Sequence, residues 1–164
     1  PAPMPALASA QSCRHWQEMR LRFLVVDDHP VNRLLACNIV QAQWPKAYLC
    51  QASHGQEALA CLHREPFDLV LMDMVMPEMD GIELCRKLRQ MELPHYVFTV
   101  LVTARNRSQD LVDALAAGAD DFVSKPIVAR IPQVAGPRIA PRVLAAPRRP
   151  IPATRCSALV VSAM

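Results

Sequence analysis

Glycine is scarce in this chain: there are four in 164 residues, at positions 55, 81, 118 and 136. They are too far apart to form the glycine loop of a dinucleotide-binding α/β unit. Long apolar runs are missing too. Although 52% of the residues are hydrophobic, no run approaches the ~20 residues of a membrane span. No N-terminal stretch has the basic, apolar, small-residue layout of a signal peptide. The six cysteines, at 13, 37, 50, 61, 85 and 156, form no C-x-x-C pair. Most sit in apolar segments, where a reduced, buried thiol is the simplest reading. His29, His54, His63 and His95 show no ligand spacing with one another. A soluble, cytoplasmic protein without a Cys/His metal site is expected.

Acid is absent from one end of the chain. Residues 127–164 hold six Arg and no Asp or Glu, whereas residues 21–126 hold 10 Lys/Arg against 14 Asp/Glu. The formal charge of +3 therefore belongs to the tail and says little about a folded part. Residues 1–20 are rich in Pro and Ala with little periodicity and read as a linker. The chain does not open with Met, as expected of a fragment or a processed form.

Between those ends, short apolar runs alternate with helical patterns. Strands are expected at 22–28, 47–53, 67–73, 95–103 and 121–125. Helices are expected at 30–43, from a capping box at Ser53/Gln56 through Leu62, from a second box at Asp80/Glu83, and at 108–117 closed by Gly118. On the first helix, with Pro30 at its start, Val31, Leu34, Leu35, Asn38 and Ile39 form one face. Strands separated by single helices imply parallel βαβ units, with chemistry gathered beyond the carboxyl ends of the strands.

What the strand ends deliver is specific. The first ends in Asp27-Asp28, the third in Asp73, the fourth in Thr103 and the fifth in Lys125. Asp73 closes the apolar run LVLMD just before Pro77 and Gly81, so it either caps a helix or reacts. Three neighbouring carboxylates raise one another's pKa unless a cation compensates. Mg²⁺ takes hard oxygen ligands and keeps room for phosphate oxygens, and a carboxylate can attack phosphorus to give an acyl phosphate. Lys125 and Thr103 suit the phosphoryl oxygens. Asp80 reads as a plain N-cap, and Asp120 and Asp121 as turn acids.

The segments VVDDHPVNR, DLVLMDMVMPEMDGIE, LVTA and AGADDFVSKP together resemble the receiver domain of bacterial two-component response regulators and hybrid histidine kinases, over about residues 22–126. The resemblance implies a flavodoxin-like, doubly wound α/β fold with a five-stranded parallel sheet in the order 2-1-3-4-5. It implies phosphorelay signalling rather than turnover of a substrate, with a histidine kinase or histidine phosphotransfer protein as phosphodonor. By resemblance Asp73 is the phosphoacceptor, and Asp27, Asp28, Asp73 and the backbone carbonyl of Val75 hold Mg²⁺. Thr103 and Lys125 contact the phosphoryl group, and Phe122 is the aromatic partner of Thr103 in switching. Val75 and Arg105 flank the site where the family tunes phosphoryl lifetime. A cis Lys125–Pro126 bond and a homodimer through the helix after strand four and strand five are further implications. Parts of the chain are similar to receivers linked to diguanylate cyclases, others to those of hybrid kinases.

The pattern breaks after Ile127. Prolines at 132, 137, 141, 147, 150 and 152 each oppose a helix by ~3 kcal/mol. The last helix is therefore expected to be absent or irregular; if it is missing, apolar positions on strands one and three become exposed. The expected division is a linker at 1–20, a receiver at 21–127 and a Pro/Arg-rich tail at 128–164, with a frameshift or a true linker as its origin. The tail lacks interleaved aromatics and any DNA-binding motif, which argues against nucleic acid. Two other functions compete. A phosphatase of the haloacid dehalogenase type needs a second acid two residues after its nucleophile, where this chain has Val75. A degenerate receiver serving only as a docking module conflicts with the complete acid, Thr and Lys set.

Overall fold

The computed structural model describes residues 20–104 and 108–127. The segments read as linker and tail, the last helix and Arg105 lie outside the described residues, Arg20 apart. The strands are β1 (Arg22–Val26), β2 (Tyr48–Ala52), β3 (Leu69–Asp73), β4 (Phe98–Thr103) and β5 (Asp121–Ser124). Between them run α1 (Pro30–Gln43), α2 (Gly55–Arg64), α3 (Gly81–Gln90) and α4 (Ser108–Ala116). All neighbouring strands are parallel, in the order β2-β1-β3-β4-β5. This is the expected doubly wound flavodoxin-like sheet.

The apolar runs are buried because helices and chain cover both faces. One core layer joins Leu24, Val26, Val70, Met72 and Leu101 to α2 and α3. The other joins Phe23, Val25, Leu69, Leu71, Val100 and Val123 to α1 and Trp44. Phe23, Val25, Leu69 and Leu71 are all buried, so the expected exposure of apolar positions on β1 and β3 does not occur.

Two helix readings change. On α1 the buried residues are Ala36, Cys37 and Val40, while Val31, Leu34 and Leu35 are 63%, 57% and 40% exposed. Small residues bring α1 close to the sheet, and the bulkier apolar set points away from it. At α2 the cap lies one residue later than the Ser53/Gln56 box. The Glu57 amide donates to His54 Nδ1, and the Glu57 carboxylate accepts from the amide and hydroxyl of Ser53, both at 2.7 Å. Those bonds hold the Glu57 carboxyl below its ordinary range. The box at α3 is where it was expected, with the Glu83 amide on Asp80 Oδ1 at 2.7 Å. Gly118, at φ +92°, ends α4. Its amide bonds Leu115 and that of Ala119 bonds Ala114, the paired closure that favours glycine at this position.

Asp120 is more than a turn acid. Arg89 on α3 pairs with its carboxylate at 2.7 Å, with the two side chains 22% and 7% exposed. The same guanidinium donates to Val97 O, Gly118 O and Thr99 Oγ1 and lies 4.6 Å from the Tyr96 ring centre. Tyr96 donates its hydroxyl to Asp120 as well. One arginine thus ties α3 to β4 and to the turn before β5. Arg89→Ala leaves Asp120 buried without its cation, and the expected loss is about 3 kcal/mol of unfolding free energy in urea titration.

Candidate functional site

The carboxyl ends of β1, β3 and β5 meet as the alternation of elements requires. Carboxylate oxygens of Asp27, Asp28 and Asp73 all lie within 4.8 Å of one another. Asp27 and Asp73 are buried, at 5% and 7% exposure, and Asp28 is exposed. Lys125 reaches back from the end of β5. Its Nζ stands 3.2 Å from Asp73 Oδ2 and 3.5 Å from Asp27 Oδ2. The Lys125–Pro126 bond is cis, as the resemblance implied.

Two like charges about 4 Å apart repel by about 4 kcal/mol at an effective dielectric of 20. One lysine offsets one of three carboxylates, which leaves the charge that a divalent cation would neutralise. Burial raises the Asp73 carboxyl above its ordinary range, and the Asp27 carboxylate adds to the shift. Lys125 and the Val75 amide, which donates to Asp73, oppose it. Every donor in the cluster is a hard oxygen, as Mg²⁺ prefers.

Backbone geometry keeps the acids in place. Asp27 Oδ1 accepts from the His29 amide at 2.8 Å, and Asp27 O accepts from Arg33 Nη1 at 2.7 Å. Arg33 stands in the VVDDHPVNR segment, but nothing in its spacing signals this bond. After Asp73 the chain turns back sharply. The Met74 amide bonds Val102 O, and Gly81 N returns to Met74 O. Glu78 takes φ +65°, with the Met79 amide on Pro77 O at 2.7 Å, a strained γ-turn. A glutamate gives no hint of that conformation. Gly81 is needed for closeness: a Cβ there would lie 2.4 Å from Asp73 O and 2.7 Å from Leu101 Cδ2.

Thr103 is buried at the end of β4, one residue past Val102, the register partner of Asp73. Its carbonyl accepts from the Lys125 amide at 2.8 Å. Phe122 is half-buried against the core layer that contains Met74 and Leu101. Val75 is 61% exposed beside the acids. Asp27, Asp28, Asp73 and Lys125 therefore meet at one rim, with Thr103 at the end of the neighbouring strand, whereas Phe122 packs on a core layer and His95 bonds Phe67 O.

An open parallel sheet with an acidic crevice at its switch point, countered by one lysine, defines a class of phosphoryl-handling α/β module. The comparisons are narrower. The sequence matches the family described as "Response regulator receiver domain" over residues 23–134. It is 38% identical over 110 residues to response regulator PleD of Caulobacter vibrioides, covering 66% of this chain and 24% of that protein. It is also 38% identical over 114 residues to the alkaline phosphatase synthesis transcriptional regulatory protein PhoP of Bacillus subtilis, covering 68% and 45%. Among solved structures it matches the co-crystal structure of the Saccharomyces cerevisiae histidine phosphotransfer signaling protein Ypd1 and the receiver domain of its downstream response regulator Ssk1. That match has a TM-score of 0.58 and 26% identity, and covers 65% of this chain and 79% of the other. The chain belongs to the response regulator receiver domain family. It spans less than half the length of either curated relative. No helix of the described residues is long and apolar enough to cross a membrane.

The raised Asp73 carboxyl gives a signed prediction for the metal-free protein. A carboxyl that titrates higher folded than unfolded favours the fold when protonated. Stability then falls as pH rises through the folded value. In EDTA, Asp73→Asn should flatten that fall and raise the thermal midpoint near neutral pH. A wild-type pH profile unchanged by the substitution would show that the raised carboxyl does not limit stability.

Proposed function

We propose that Asp73 is the phosphoacceptor of this receiver and that the chain acts in a phosphorelay. The observation that carries the reading is the position of Asp73 between two further acids and Lys125. An Asp73 carboxylate oxygen attacks the phosphorus of a phosphohistidine. The P–N bond breaks, the imidazole leaves with the electron pair, and an acyl phosphate remains. Asp27, Asp28, Asp73 and the carbonyl of Val75 would hold Mg²⁺, which when bound neutralises the acids and the incoming phosphoryl charge. Lys125 moves from carboxylate to phosphoryl oxygen, and the Thr103 hydroxyl donates to another. Pairing of the new charge in one arrangement of Thr103 and Phe122 shifts an equilibrium between surfaces. The output surface in this reading is α4 with β5, where Val112 and Leu115 are exposed; self-association there is the corresponding dimer. The chain transfers and slowly loses its own phosphoryl group and turns over no other substrate. The receiver unit is 21–127, with 1–20 as linker and 128–164 as tail, in the cytoplasm. The family match runs to residue 134.

The phosphodonor must reach Asp73 over the rim, and α1 begins two residues after Asp28. Its exposed Val31, Leu34 and Leu35 form an apolar patch of the kind that marks protein contact sites. The solved match of a receiver with a histidine phosphotransfer protein supports a histidine kinase or a phosphotransfer protein as partner.

Two experiments test the reading. Acetyl phosphate with Mg²⁺ should give a phosphoryl adduct by intact mass, absent in a folded Asp73→Ala variant. An adduct that persists in that variant would move the acceptor elsewhere, and no adduct on folded wild type would favour a docking module. Leu34→Glu should slow transfer from a phosphorylated histidine phosphotransfer protein by about tenfold while leaving the acetyl phosphate reaction unchanged. Equal slowing of both would remove α1 from the docking surface.

A further inference from the structure

Away from the acidic rim, two thiols meet. Cys50 lies in the middle of β2, the edge strand of the sheet, and Cys61 lies on α2 above it. Their sulfurs are 3.8 Å apart, in van der Waals contact. Cys61 is buried and Cys50 is partly exposed. The guanidinium of Arg64 lies 3.7 Å from Cys61 Sγ. Cys37 and Cys85 are both buried. Cys85 meets the Thr99 hydroxyl at 3.8 Å, and Cys37 belongs to the opposite core layer.

We propose that Cys50 and Cys61 form an oxidation site, a dithiol that a hydroperoxide converts to a disulfide between β2 and α2. In the first step the Cys50 sulfur takes the terminal oxygen of the hydroperoxide. The O–O bond breaks, and an alcohol, or water from hydrogen peroxide, leaves. In the second step the Cys61 sulfur attacks the Cys50 sulfenic sulfur. The S–O bond breaks and water leaves with the thiol proton. Two thiols lose two electrons and the hydroperoxide gains them. The sulfurs close from 3.8 Å to about 2.0 Å. Among the described residues β2 has a strand neighbour on one side only, which gives it more freedom to shift than an inner strand.

Burial raises the Cys50 thiol above its ordinary range, and the adjacent Cys61 thiol and Glu65 add to the shift. The thiolate is the reactive form, so oxidation is slow at neutral pH. The consequence is mechanical. α2 begins at Gly55, where a Cβ would meet Met79 Sδ at 2.6 Å, and Met79 belongs to the loop after Asp73. A staple at the far end of α2 restrains a helix that abuts this loop.

Trypsin isolates the pair. Lys46 and Arg64 bound a peptide, residues 47–64, that holds both cysteines and no methionine. The full chain is incubated with hydrogen peroxide for hours at about pH 8.5 to raise the thiolate fraction. It is then unfolded in N-ethylmaleimide and digested without reductant. The expected peptide carries no label, is lighter by two hydrogens, about 2 Da, and takes two labels after reduction. In Cys50→Ser the loss should vanish and Cys61 should take the label. A doubly labelled peptide from wild type would overturn the proposal. So would a Cys50 sulfinic acid beside a labelled Cys61.

Discussion

Three carboxylates at the ends of two strands, facing one lysine, set the terms for the rest of this molecule. Close like charges are costly where they are half-buried, and Lys125 offsets only part of that cost. Asp27 and Asp73 are both below a tenth exposed, and Lys125 stands within reach of both. Such a cluster persists because backbone elsewhere determines it: β1 and β3 are neighbours in the sheet, and the turn after Asp73 is closed by Gly81 against the Asp73 carbonyl.

The opposite ends of the strands are built the other way. Arg22, at the start of β1, pairs with Glu65, donates to Pro66 O at 2.6 Å and covers the rings of Tyr48 and Phe67 at 4.1 and 5.7 Å. Its amide bonds the Asp68 carboxylate at 2.8 Å. Arg89 and Asp120 form the matching cluster beside β4 and β5. Here each cation meets an acid, at least one further acceptor and an aromatic ring, so the charges are satisfied where they sit. Satisfied charge at one end and unsatisfied charge at the other fits a module whose stability and chemistry occupy different rims, as open parallel sheets allow.

The sheet and the rim were legible because both follow from period and order. Continuous apolar runs separated by helical patterns force parallel strands, and the residues just past those runs must share an edge. That is why Asp27, Asp28, Asp73, Thr103 and Lys125 could be placed from sequence. What could not be read depends on close approach in three dimensions. The apolar stripe of α1 suggested a buried face, yet Ala36 and Cys37 face the sheet because small residues let the helix sit near it, and Val31, Leu34 and Leu35 are left outside. His54 takes the cap at α2 because Glu57, not Gln56, reaches Ser53. Asp120 read as a turn acid because its partner, Arg89, is 31 residues away. Glu78 at positive φ and the meeting of Cys50 with Cys61 carry no pattern that sequence alone displays.

An acidic rim suited to a divalent cation should couple cation binding to folding, which a Mg²⁺ titration of thermal stability measures. Wild-type protein prepared in EDTA should gain melting temperature as Mg²⁺ is added. Asp28→Asn, which alters an exposed carboxylate without disturbing the core, should melt normally and lose most of that gain. Equal gains in both proteins, or none in the wild type, would show that the acidic rim is not a Mg²⁺ site.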